Sequence, residues 1–202
     1  MTGRFIVLEG GEGCGKSTQV ELLARDLDAL ATRQPGGTEL GSRLRALLLS
    51  AVDDPSPVDE RAEALLMAAD RAQHVAQVVR PALDAGRHVV CDRYTPSTIA
   101  YQGHGRGLDV DWLERLAAWA ARDLRPDLVV LLEVPADLAA SRRGEVSDRI
   151  EAAGDEFHRR VVESYRAQAA RDSTGWAVVD GSGEVDEVHA AVRSVVADRL
   201  GI

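Results

Sequence analysis

Apolar positions along the chain fall into two kinds of run. Phe5 to Leu8 are continuously apolar, with glycines after Glu9, which predicts a buried strand over 4–9. Val20, Leu23 and Leu27 then recur at helical spacing, predicting a helix over 16–28. A second strand is predicted over 29–33, stopped by Pro35-Gly36-Gly37, and Thr38 can cap a helix over 39–49. Residues 53–57 read as a turn-rich linker, and 58–79 as a long helix broken near Pro81.

The second half repeats the alternation. Residues 88–91 predict a third strand, 92–107 a polar segment with a functional look, and 109–122 a helix. A fourth strand is predicted over 128–133. Residues 136–171 read as mostly helical, with a charged interruption at 144–148. A fifth strand (176–180) and a final helix (184–200) complete the chain. Strands alternating with helices predict an α/β fold: a parallel five-stranded sheet with helices on both faces. At 202 residues, without repeats or a linker rich in Pro, Gly and Ser, the expectation is one domain spanning 1–202.

Composition narrows the class. A net charge of -9 argues against wrapping nucleic acid, which demands a basic footprint. No apolar run approaches the ~18 residues of a membrane span, and no basic-then-apolar segment opens the chain. The expected compartment is the cytoplasm. Cys14 and Cys91 form neither a disulfide framework nor a metal pattern. Twenty-three arginines accompany one lysine, Lys16, so position 16 demands something a broad guanidinium cannot supply.

Lys16 closes Gly10-Gly11-Glu12-Gly13-Cys14-Gly15-Lys16-Ser17, which fits G-x4-G-K-[ST] between a predicted strand and a predicted helix. Glycines let backbone N–H groups turn inward around a phosphate, and the helix start adds its positive end. Lys16 would reach the outer phosphates, and the Ser17 hydroxyl can ligate Mg2+. A guanine-reading switch usually carries Asn-Lys-x-Asp; this chain has no asparagine. A small kinase fits better, and it needs a second site and a water-excluding cover. Asp92 ends the third strand, where ligands gather, and can hold Mg2+ through water. Arg93 can grip an acceptor phosphate as a fork. Arg142, Arg143 and Arg149 cluster in the charged interruption, which suits a short lid over about 141–150.

Along the whole chain these pieces resemble the thymidylate kinase family. They include the phosphate loop, Thr32-Arg-Gln-Pro-Gly-Gly-Thr38 with Arg45, and Leu65-Leu-Met-Ala-Ala-Asp-Arg71. Asp92-Arg-Tyr94, Ser97-Thr-Ile-Ala-Tyr-Gln-Gly103, Asp148-Arg-Ile-Glu151 and Phe157-His158 complete them. The resemblance implies a P-loop NTPase-like three-layer fold and a homodimer. It implies transfer of the ATP γ-phosphoryl group to dTMP with Mg2+. ATP would meet residues 10–18, Arg142, Asp180 and Gly181. The dTMP would meet Glu12, Pro35, Arg45, Met67, Arg71, Arg93, Ser97, Thr98, Tyr101 and Gln102, with Tyr101 where a ribose 2′-hydroxyl would go. Some members of the family place an arginine inside the loop, at the position of Gly13 here, and others place it in the lid; with Gly13, this chain resembles the lid-arginine kind, which implies Arg143 or Arg149.

Three departures from the family pattern stand out. Gln34 replaces the usual Glu and turns any local ion pair into a neutral hydrogen bond. Met67 stands where many members have Phe. The stretch from the first helix to the second strand is short, through an early helix end or a very short strand. Two other readings stay open: a kinase for a different small acceptor, and a non-catalytic nucleotide-binding regulator. The five histidines are scattered and read as structural or surface groups.

Overall fold

The computed structural model describes residues 3–49, 58–143 and 149–202. Five strands, β1 (Phe5–Glu9), β2 (Leu30–Arg33), β3 (Val89–Asp92), β4 (Leu128–Glu133) and β5 (Trp176–Asp180), form one sheet in the order β2-β3-β1-β4-β5. Every pairing is parallel. Parallel sheets must be covered on both faces, and the side-chain alternation shows how. Phe5, Val7, Val89, Cys91, Val129 and Leu131 point to one face. Ile6, Leu8, Val90, Leu128, Val130 and Leu132 point to the other.

On the second face lie α1 (Lys16–Asp26) and α9 (Val185–Leu200), which contribute Val20 and Leu23, and Val188, Val192 and Val196. Against the first face pack α8 (Asp155–Arg171), through Phe157, Val161 and Tyr165, and the long helix beginning with α3 (Glu60–His74). The helix α2 (Glu39–Leu48) packs beside α3, with Thr38 Oγ1 accepting from the Gly41 N–H as its N-cap. The expected three-layer architecture is therefore the observed one. No helix among the described residues is long and apolar enough to cross a membrane.

The predicted break near Pro81 is not where the helix ends. After α3 the chain widens into a π turn, Val75–Val79, and continues as α4 (Arg80–Asp84) with Pro81 in its first turn. Pro81 has no N–H and its ring crowds the preceding turn. The wider turn absorbs this, with Arg80 N–H donating to the Val75 carbonyl five residues back. The polar segment over 92–107 is largely helical: a short helix, α5 (Thr95–Thr98), runs into a second π turn, Ile99–Gly105. Then α6 (Val110–Ala120) follows. Early helix termination and a short strand both hold: α1 stops at Asp26 and β2 has 4 residues. The linker at 53–57 and the interruption at 144–148 lie outside the described residues; α7 (Ala136–Arg143) leads into the latter.

Leu131 sits in the middle of β4 and is 2% exposed. Leu131→Ala is expected to lower the unfolding free energy by about 3 kcal/mol through the cavity it leaves, as measured by urea titration.

Candidate active site

The sheet order places β1 at a switch point, with β3 leaving on one side and β4 on the other, and the loop after β1 opens there. Gly15 adopts φ 88°, a left-handed conformation that turns the loop into the start of α1. A Cβ on Gly10 would lie 2.5 Å from the Leu132 carbonyl oxygen, so the loop and β4 approach as only glycine permits. Lys16 is 6% exposed, and its Nζ donates to the Gly11 carbonyl at 2.7 Å, folded over the loop it must serve.

Beside it, Ser17 Oγ donates to Asp92 Oδ2 at 2.7 Å. The other carboxylate oxygen, Asp92 Oδ1, is buried without a hydrogen-bond partner among the described residues. The predicted metal pair is therefore brought together across 75 residues, with one oxygen still to be satisfied.

Arg93 follows Asp92 with φ 68°, a left-handed backbone that a side chain adopts only when its surroundings hold it there. Its Nη1 donates to the Gly10 carbonyl and the Tyr165 hydroxyl, both at 3.0 Å, and its Nη2 to Glu12 Oε1 at 2.6 Å. The guanidinium lies 4.8 Å from the Tyr101 ring centroid, and the Tyr101 hydroxyl also donates to Glu12. Burial pushes the Glu12 carboxyl up, but Arg93 and Lys16 outweigh it and bring it down to about 2. Beneath them Glu9 is fully buried and accepts from the Tyr94 N–H, Ser97 Oγ and Tyr165 hydroxyl. Burial raises its pKa against the opposing field of Arg93.

One cavity of about 870 Å³ opens over these groups. One end of it brings together Pro35, Arg45, Met67, Arg71, Ser97, Thr98, Tyr101 and Gln102, the residues that the family resemblance assigned to the acceptor. Arg45 donates to the Pro35 carbonyl at 3.1 Å; burial and the nearby Arg33 and Arg93 lower its pKa, so cations are crowded there for an anion to neutralise. Met67 is partly buried against the core. Gln102 Nε2 donates to the buried Glu63 at 2.8 Å. The opposite end is bounded by Arg142, whose guanidinium donates to the carbonyls of Gly181, Ser182 and Gly183.

Four expected residues do not line the cavity: Gly10 and Gly11 at the start of the loop, Arg149 and Asp180. Arg149 pairs with Glu63, whose buried carboxylate needs a cation, and donates to the Val58 carbonyl. The Asp180 carboxylate accepts from the Ser182 N–H and shapes the turn instead of facing the cavity; Gly181 lines it. The side chain of Arg143 lies outside the described residues. Sequence reading missed Glu9 and Arg33, both hidden in strand patterns, and Tyr165, whose partners lie 72 and 156 residues away.

A phosphate cradle and an arginine-lined second bay, sharing one cavity at the switch point of a parallel sheet, define a P-loop nucleotide kinase. A family model described as thymidylate kinase matches residues 8–192. The thymidylate kinase of Solidesulfovibrio magneticus is 49% identical, covering 97% of this chain and 100% of the relative. That of Chromohalobacter salexigens is 46% identical, covering 98% and 97%. The crystal structure of thymidylate kinase from Ehrlichia chaffeensis superposes with a TM-score of 0.78 at 30% identity, covering 97% of this chain and 100% of that one. The chain belongs to the thymidylate kinase family.

His74, the last residue of α3 and fully buried against β2, has its pKa brought down to about 4 by burial and by Arg71. Below pH 6.5 the unfolded chain binds a proton that the folded one refuses, so stability falls as pH drops from 6.5 towards 4. This group accounts for about 3 kcal/mol of that loss. The expected result is a shallower decline in His74→Gln than in the parent, read from urea titrations at pH 7 and 4.5.

Proposed function

We propose that this protein transfers the γ-phosphoryl group of ATP to dTMP, giving dTDP and ADP. The observation that carries this reading is the single cavity running from the phosphate cradle to the bay of Arg71 and Gln102. Donor and acceptor can meet there without crossing solvent.

Phosphoryl transfer asks for positioning and charge neutralisation more than for a strong base. The Lys16 ammonium exchanges the Gly11 carbonyl for the outer phosphates of ATP, while backbone N–H groups of residues 10–18 surround them. Arg93 and Arg45 hold the acceptor phosphate in line. Arg71, Gln102, Ser97 and Thr98 surround its base, with Pro35 and Met67 packed beside it. Tyr101, fixed by Glu12 and stacked under Arg93, fills the space a ribose 2′-hydroxyl needs. Glu12 is the group that meets the deoxyribose hydroxyl. Arg142 and Gly181 flank the adenine, next to Asp180.

The residues present fit Mg2+. Asp92 Oδ1 is a buried carboxylate oxygen lacking a partner among the described residues, next to the Ser17 hydroxyl. Among the described residues no three His, Cys, Asp or Glu side chains gather into a metal site. Ser17 and Asp92 would therefore hold an ion that draws its remaining oxygens from phosphate and water. When bound, it supplies charge neutralisation to the transferring group.

The lid over about 141–150 supplies the remaining charge, from Arg143 or Arg149. Arg149 reaches the phosphates only by leaving Glu63. We also read the protein as cytoplasmic and as a homodimer; for the dimer, Leu47, Leu65 and Trp119 are exposed by 58%, 52% and 77% on α2, α3 and α6, with α3 packed against each of the other two.

Coupled ADP release is expected to be strong with dTMP and near background with dCMP, GMP or no acceptor. Equal rates with dCMP would defeat the assignment, and acceptor-independent signal would point to a regulator. Alanine at the operative lid arginine is expected to lower kcat by roughly a hundredfold or more, with the ATP KM changed far less. Near-normal turnover in both Arg143→Ala and Arg149→Ala would remove the lid arginines from the chemistry.

A further inference from the structure

Arg71 is 3% exposed and makes no ion pair among the described residues. Its Nη2 donates to the Tyr94 carbonyl at 3.1 Å, and its Nε to Gln34 Oε1 at 3.1 Å. Its Nη1 is buried without a partner among the described residues, beside the acceptor bay that Arg71 lines. A buried donor left unpaired is costly unless a ligand satisfies it.

The hydrogen bonds behind Arg71 determine one another. The Arg71 Nε–H can only donate, so Gln34 must turn its oxygen towards it. The Gln34 amide nitrogen then faces His74 Nδ1 at 2.8 Å, and an NH2 group cannot accept. His74 Nδ1 is therefore the unprotonated nitrogen, and Nε2–H donates to Thr32 Oγ1 at 2.6 Å. A doubly protonated ring would set N–H against N–H. The low pKa of His74 agrees, with Arg71 the charged group that bears on it. The ring has no slack on its other side. A Cβ on Gly37 would lie 2.5 Å from His74 Cδ2 and 2.6 Å from Nε2.

We propose that Gln34, its amide orientation locked by the neutral Nε2–H form of His74 against Thr32, is a positioning residue that aims Arg71 Nη1 into the acceptor bay. The inference rests on the reading above, that the base of the acceptor meets Arg71. An amide at position 34 orients the guanidinium without neutralising it, so Arg71 presents its whole charge to the base. A base offering a carbonyl oxygen satisfies Nη1, while one offering an amino group leaves two donors opposed.

Steady-state kinetics of the full chain test this. Gln34→Met keeps the length and removes both hydrogen bonds. It is expected to raise KM for dTMP about tenfold while kcat at saturation and KM for ATP change less than about threefold. Gln34→Glu restores an acceptor for Arg71 and is expected to bring KM back to within about threefold of the parent. Nitrogen NMR of the His74 ring is expected to show an unprotonated Nδ1 in the parent and a protonated one in Gln34→Glu. A folded Gln34→Met with unchanged KM for dTMP overturns the proposal, as does a protonated Nδ1 in the parent. Arg71→Ala separates the two levels. If it leaves KM for dTMP unchanged, the acceptor reading falls together with the inference. If it raises KM while Gln34→Met does not, only the positioning role falls.

Discussion

The Arg93 guanidinium sits where the phosphate loop, β3, α5 and α8 converge, and the site depends on how its charge is met. A buried charge must be paired and hydrogen-bonded or it destabilises the fold. Arg93 answers with Glu12 and the Gly10 carbonyl on one side and the Tyr165 hydroxyl on the other. Those contacts hold a backbone in the left-handed region and tie the loop after β1 to the end of β3. Glu9, beneath, ties Ser97 and Tyr165 to β1, so the floor of the site is one hydrogen-bonded unit.

Above that floor the electrostatics reverse the sign of the molecule. The chain carries a net charge of -9, yet Lys16, Arg33, Arg45, Arg71, Arg93 and Arg142 all line the cavity. Among the described residues, the acidic groups facing them are Glu12, Asp70, Asp92 and Glu184. Low-dielectric walls focus such a field, which draws in phosphorylated ligands while the acidic exterior repels polyanions. The cavity's arginines come from both sides of β1: Arg33 from β2, Arg45 from α2, Arg71 from α3 and Arg93 just after β3 on one side, and Arg142 from α7, held by the carbonyls that follow β5, on the other.

What could be read in the sequence follows from how far apart the cooperating residues are. The phosphate loop is eight consecutive residues in a strand–helix context, so its chemistry is local and legible. Strand alternation gave the sheet and both layers for the same reason. Pairings across the fold carry no local signal. Glu9 looked like the end of an apolar strand, and its partner Tyr165 like one aromatic on a helix, 156 residues on. Arg149 stood in a charged corner that suited a lid, and nothing nearby announced that Glu63, 86 residues earlier, would hold it. Pro81 read as a stop because the rule concerns α-helices, whereas the chain answered with a wider turn. Gln34 and His74 were each visible as single residues; their joint action needed the contact between β2 and α3.

The solitary lysine has a consequence outside nucleotide chemistry. With 23 arginines elsewhere, the only ε-amine on the polypeptide sits inside the cradle, 6% exposed and bonded to the Gly11 carbonyl. Amine-directed reagents such as acylating agents and aldehydes thus have a single side-chain address, and it lies inside the loop that follows β1. A seated triphosphate would shield that address. Covalent labelling then becomes a gauge of occupancy that the molecule carries without any engineering.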